Sequence, residues 1–62
     1  MSDSHLTETI RREIFQALVE AQDQAVPVPQ SRQLVAERFG VSINRVREIE
    51  RQGLDKGWPP LS

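Results

Sequence analysis

The sequence predicts a small all-α domain of three helices. Its 62 residues are 37% hydrophobic and 27% charged and include one Trp and two Phe, a composition more typical of a compact helical domain than of a β-sandwich or a disordered tail. Apolar residues recur at spacings of three and four, as on one side of a helix. Glycine and proline residues separate these stretches and mark places where helices end. A chain this short forms one domain at most, residues 1–62, and its stability margin is thin because it buries only about 60% of the surface that its unfolded form exposes.

The first helix is predicted at about residues 6–24. Phe15 and Val19 widen its apolar stripe and are expected in the domain's own core, with a contact to a second chain as the alternative. Either Ser4 or Thr7 caps the helix at its start. The stripe itself consists of Leu6, Ile10, Ile14, Ala17, Leu18 and Ala21.

A stiff linker is predicted at residues 26–30, which read Val-Pro-Val-Pro-Gln. Each proline lacks an amide donor and restrains the preceding residue to extended geometry. Ser31 is then expected to cap a second helix. Gly40 ends that helix, because glycine adopts the left-handed conformation without a Cβ penalty. The apolar positions of the second helix are Leu34, Val35, Ala36 and Phe39.

The third helix is predicted to start after Ser42, its N-cap, with Val46 and Ile49 turned inward. Gly53 is expected to end or loosen it near residue 52. Residues 53–62 then form a tail rich in Trp and Pro.

In that tail, Leu54 and Trp58 are expected to fold back as apolar cover, with Trp58 as a docking residue for a partner as the alternative. Pro59 and Pro60 prevent a further helix.

Residues 31–52 fit a helix-turn-helix. Ala36 is small enough for close helix approach, Gly40 permits the turn, and Val41 fills the corner. On the side of the third helix opposite its inward residues, spacing brings four polar side chains together. These are Asn44, Arg47, Glu48 and Arg51.

The chemistry of these four residues suits the edges of DNA bases. Arginine bonds guanine, asparagine bonds adenine, and glutamate accepts from cytosine. The sequence therefore predicts binding of double-stranded DNA, and the alternative is a solvated helix in which Arg47 pairs with Glu48 and Glu50. Neighbouring polar residues are candidates for phosphate contacts. They are Arg32, Gln33, Arg38, Ser42 and Arg45.

Charge is divided unevenly along the chain. Residues 1–31 contain five acidic side chains and two arginines, a net charge of −3, whereas residues 32–62 contain six basic and four acidic side chains, a net charge of +2. The total of −1 argues against binding nucleic acid by bulk electrostatics alone. The division fits a binding face supported by an acidic helix, or scattered solvated charge.

Residues 35–50 resemble region 4 of the σ70-type bacterial sigma factors, the helix-turn-helix that recognises the −35 promoter element. The run Arg-Val-Arg-Glu-Ile-Glu at residues 45–50 is similar to the family's Arg-Ile-Arg-Gln-Ile-Glu. The resemblance implies a phosphate or base contact by Arg47 and a structural or backbone role for Arg45. The family usually has Arg and Glu where this chain has Ile43 and Asn44, and Gln where it has Glu48. A small regulator or an adaptor carrying this module is therefore expected, rather than a complete sigma factor.

Catalysis, metal binding and a cofactor are not expected. The sequence has one histidine, His5, and no cysteine, so it indicates no converging catalytic groups or metal ligands. No apolar run approaches the ~18 residues that cross a bilayer, and the first residues lack the pattern of a secretory signal. We expect a soluble cytoplasmic protein associated with the nucleoid.

The alternative function is a protein-interaction or adaptor module. In it, the same helices bind an RNA polymerase subunit, another protein of a nucleoprotein complex or a second copy of the chain. The acidic first helix supports this alternative. A homodimer that reads paired half-sites is a separate hypothesis, motivated by the small core.

Overall fold

The computed structural model describes residues 6–59. Within them the chain forms three helices and no strand: α1 (Glu8–Asp23), α2 (Val28–Phe39) and α3 (Ile43–Lys56). Each helix packs against the other two, which confirms the predicted all-α, three-helix fold. No helix in this part of the chain has the length and apolar character needed to span a bilayer.

The core contains residues from all three helices and from the segment after α3. Phe15 is completely buried, as predicted, and its ring meets the ring of Trp58 edge-on, with centroids 6.2 Å apart. Trp58 is only 4% exposed, so its prediction as core cover is confirmed. Val19 packs against this core in a half-buried position. The buried apolar residues are Ile14, Phe15, Leu18, Val35, Ala36, Val46, Ile49 and Trp58.

Helix α1 begins one residue after Thr7. The Thr7 hydroxyl accepts a hydrogen bond from the Ile10 amide at 3.2 Å, so Thr7 satisfies a donor of the first turn. The other cap candidate, Ser4, lies outside the described residues. The helix therefore covers Glu8–Asp23 instead of the predicted residues 6–24.

All three helices end with the same backbone geometry. In each, one residue adopts the left-handed conformation, and the next residue donates its amide to a carbonyl five positions earlier, a Schellman closure. These hydrogen bonds are 3.0–3.1 Å long. After the second and third closures the following apolar side chain turns toward the core: Val41 packs against it and Trp58 is part of it. The left-handed residues are Ala25, Gly40 and Gly57, and the donors are Val26, Val41 and Trp58.

The predicted linker at residues 26–30 and the predicted cap at Ser31 are wrong. Helix α2 begins at Val28, with Pro27 at the N-cap and Pro29 in the first turn, where an amide has no helical partner to lose. Ser31 is fully buried inside the helix. Its hydroxyl donates to the Val28 carbonyl at 2.7 Å and accepts from Gln22 Nε2 at 3.3 Å.

The predicted end of the third helix near residue 52 is also wrong. Helix α3 continues through Gly53 and ends at Gly57, whose φ is 65°. Gly53 is buried, and a Cβ at this position would overlap the ring of Phe15. Glycine is thus required here by the close approach of α1, and the residue does not terminate the helix.

Two leucines are exposed, against expectation: Leu34, predicted on the apolar side of the second helix, and Leu54, predicted as apolar cover. Leu34 on α2 is 54% exposed and Leu54 on α3 is 60% exposed. Because α2 buries its other side through Val35 and Ala36, Leu34 lies on the outer surface of the domain.

Candidate functional site

The turn between α2 and α3 sets the position of the predicted site. Gly40 has φ 68°, and Ser42 has an extended backbone whose side chain caps α3. The Ser42 hydroxyl accepts from the Arg45 amide at 3.1 Å. Helix α3 therefore starts at Ile43, where the sequence predicts it. This start determines which of the later residues lie on the same side of the helix.

The four predicted base-contact residues lie together on α3. Each is exposed, and all four line one shallow groove, whereas Val46 and Ile49 on the opposite side are buried. We call this surface the α3 face; it consists of Asn44, Arg47, Glu48 and Arg51. Three further residues, Arg32, Glu50 and Leu54, line the same groove.

The cations of the α3 face have no acidic partner among the described residues. Within residues 6–59, ion pairs form between Arg12 and Glu8, Arg32 and Glu50, and Arg45 and Glu48. The predicted alternative, pairing of Arg47 with Glu48 and Glu50, is not found among them. Arg47 and Arg51 thus present two guanidinium groups to solvent. The carboxylate of Glu48 is engaged by Arg45 at 2.9 Å.

A polar network beside the α3 face joins all three helices. Arg32 Nη2 lies 2.7 Å from Glu50 Oε1, and Arg32 Nε donates to the same oxygen at 2.9 Å. Gln22 on α1 donates to the other carboxylate oxygen of Glu50 at 3.5 Å and to the buried Ser31. The network holds Arg32 against a carboxylate, so this phosphate candidate is already occupied.

The remaining phosphate candidates are dispersed. Gln33 donates to Glu37 at 3.5 Å and lines a separate groove on the outer side of α2. Arg38 lies over the ring of Phe39, with its guanidinium carbon 5.6 Å from the ring centroid, in a groove between α1 and α2. Of the five candidates, only Arg32 lines the same groove as the α3 face. Ser42 is the N-cap of α3, and Arg45 lies in the first turn, where it pairs with Glu48.

Sequence reasoning did not assign Glu50 or Leu54 to this site. Glu50 was expected only as a partner of Arg47, and Leu54 as apolar cover. Their places in the groove follow from the continuation of α3 past Gly53 and from the packing of α2 beside it. With a helix that continues past Gly53, the helical period places Leu54, three residues after Arg51, on the same side.

The described residues contain no group of three or more His, Cys, Asp or Glu side chains suited to a metal ion. His5 lies outside residues 6–59. No family model, curated protein or solved structure matches the chain.

Proposed function

We propose that this domain binds double-stranded DNA by placing α3 in the major groove, and that it acts as a small transcriptional regulator or architectural protein. The observation that carries the proposal is the α3 face itself. It offers two unpaired guanidinium groups and a carboxamide on the outer side of a helix that follows a short glycine turn. The resemblance to sigma region 4 supports the same function.

The dimensions of the α3 face suit a short DNA site. Asn44 and Arg51 lie seven residues apart, roughly 10 Å along the helix axis, which matches about three base-pair steps of 3.4 Å. Arg47 and Arg51 have the donor geometry for guanine, and Asn44 has the paired donor and acceptor for adenine. Glu48, held by Arg45, contributes an acceptor for a cytosine amino group.

Phosphate contacts are few in this proposal, since Arg32 pairs with Glu50 and Arg38 lies in another groove. Binding by two to four cations gives a slope of log affinity against log salt of roughly −2 to −4. We expect modest affinity for random DNA and strong dependence on the base sequence. The proposed location is the cytoplasm, with the chromosome. An RNA polymerase or other nucleoprotein partner would add affinity, as would a homodimer on half-sites about 34–36 Å apart.

The test is fluorescence anisotropy of a labelled random duplex, titrated with the protein at several salt concentrations. The native protein should bind with affinity that falls steeply as salt rises. On a random duplex, which seldom offers the matching bases, the two guanidinium groups neutralise phosphates and release counterions. The Arg47→Ala/Arg51→Ala variant should therefore bind at least tenfold more weakly and with a slope shallower by about one to two.

The matched control is Arg12→Ala/Arg38→Ala, which removes the same charge from exposed positions outside the groove of the α3 face. It should bind like the native protein. Circular dichroism establishes that both variants are folded. An equal loss of affinity in the two variants would mean that net charge alone explains the binding. Absence of binding by the native protein at low salt would overturn the proposal.

A further inference from the structure

A second groove lies between α1 and the end of α2. One stripe of α1 and the last two residues of α2 line it. Ala17 and Phe39, half-buried against the core, form a small apolar floor, with the Arg38 guanidinium over the Phe39 ring. The rim is charged. We call it the acidic groove; its residues are Glu13, Gln16, Ala17, Glu20, Arg38 and Phe39.

The carboxylates on its rim take part in no ion pair of the described residues. Glu13 and Glu20 are exposed, and neither belongs to an ion pair within residues 6–59. Glu20 accepts only a 3.3 Å hydrogen bond from Gln16. Elsewhere on α1 the exposed charged residues are Glu8, Asp23 and one arginine, Arg12. The rim therefore carries two carboxylates and one guanidinium, that of Arg38, a net charge of −1 beside a small apolar floor.

We infer that the acidic groove binds a basic amphipathic helix of a partner protein. An apolar side chain of that helix would cover Ala17 and Phe39, and its Lys or Arg residues would pair with Glu13 and Glu20. The two glutamates lie seven residues apart on α1, roughly 10 Å, which equals the distance between residues i and i+7 on a second helix. Helix-in-groove recognition uses such spacing.

The acidic groove shares no residue with the groove of the α3 face. With two carboxylates against one guanidinium, its rim disfavours DNA phosphates, so we assign this groove a protein partner and not nucleic acid. A partner seated there leaves Asn44, Arg47 and Arg51 accessible. The inference thus goes beyond DNA binding, because it makes the domain a bridge between DNA and a protein with a basic helix.

The experiment titrates the uniformly ¹⁵N-labelled full chain with a synthetic 18-residue helix of Leu, Lys and Ala. Its leucines form one stripe and its lysines flank that stripe at i and i+7. Amide shifts should concentrate at residues 13–20 and 38–39. The Glu13→Lys/Glu20→Lys variant should bind the peptide at least tenfold more weakly.

Two matched controls separate groove recognition from general attraction between charges. The Asp23→Lys/Glu37→Lys variant changes the net charge equally, at exposed positions outside the acidic groove, and should bind within about twofold of the native protein. A peptide of the same composition without the leucine stripe should bind at least fivefold more weakly. Native amide dispersion shows that each variant is folded.

Three results would overturn the inference: shifts spread over all acidic surfaces, equal weakening in both charge-reversed variants, or equal binding of the peptide without the stripe. DNA is absent from this titration, so its outcome is independent of the anisotropy experiment.

Discussion

Ala25 has a left-handed backbone conformation, with φ 67°, at the end of α1. An L-residue with a Cβ adopts this conformation at a cost of roughly 1–2 kcal/mol. Gly40 and Gly57 occupy the equivalent positions after α2 and α3 with nearly the same φ. The first of the three helix closures is therefore the one built with backbone strain.

We predict that Ala25→Gly stabilises the domain. Relief of the left-handed strain exceeds the added entropy of glycine in the unfolded chain, which is about 0.4–1 kcal/mol. The net gain should be about 0.5–1 kcal/mol, a rise of several degrees in Tm for a domain of this size. Thermal unfolding followed by circular dichroism measures it.

The reverse substitution, Gly40→Ala, is the control for Ala25→Gly. A Cβ at Gly40 would contact nothing within 4 Å, so any loss comes from the backbone alone, and about 1 kcal/mol is expected. An unchanged or lower Tm for Ala25→Gly would contradict the strain at this closure.

At the scale of the helices, local sequence signals predict the start of α3. They do not predict the start of α2 or the end of α3. Ser42 and Gly40 fix the start of α3, so the grouping of its polar face follows from the helical period. The start of α2 is ambiguous in the sequence, because proline both breaks a helix and favours its first turn. Gly53 reads as a helix end, yet its role depends on Phe15, a residue of another helix.

The ion pair between Arg32 and Glu50 joins residues 18 positions apart. Local sequence patterns could not predict it either, because the two residues lie on different helices. Its side chains are 29% and 17% exposed, so the pair is partly shielded from solvent. Glu50 also lines the groove of the α3 face. The pair therefore stabilises the packing of α2 on α3 and withholds a cation from any ligand of that face.

We predict opposite effects of Glu50→Gln on stability and on DNA binding. Loss of the charged hydrogen bonds should lower the free energy of unfolding by about 1–2 kcal/mol. Arg32 is then released to contact a phosphate, so affinity for random duplex at low salt should rise several-fold and the salt slope should steepen by about one. Urea unfolding and anisotropy measure the two effects.

Glu37→Gln removes the same charge from an exposed position on the outer side of α2 and serves as the control for Glu50→Gln. If both variants gain affinity equally, net charge explains the gain and Arg32 has no specific part in it. If Glu50→Gln gains none while the native protein binds DNA, release of Arg32 is excluded and DNA binding itself stands.

At the scale of the whole molecule, two surfaces of different character surround one small core. Within residues 6–59, the α3 face carries two arginines and the acidic groove two glutamates that form no ion pair. The division of charge between the two halves of the sequence predicts two surfaces of opposite charge. The grooves themselves depend on how the helices pack. Keeping the surfaces in place requires a core that also includes Trp58, a residue beyond the last helix.

Trp58 should be indispensable to the fold. Its ring packs on Phe15 and lies beneath two cations, with Arg12 Cζ 5.6 Å and Lys56 Nζ 5.9 Å from the ring centroid. Truncation of a buried Trp costs about 3–5 kcal/mol, and a domain of this size has only roughly 3–9 kcal/mol in all. Trp58→Ala should therefore abolish or severely broaden the cooperative thermal transition seen by circular dichroism.

The control is Leu54→Ala, at a residue 60% exposed, which should change stability by less than about 0.5 kcal/mol. A cooperative Trp58→Ala transition within a few degrees of the native one would mean that the helices hold both surfaces without the tail.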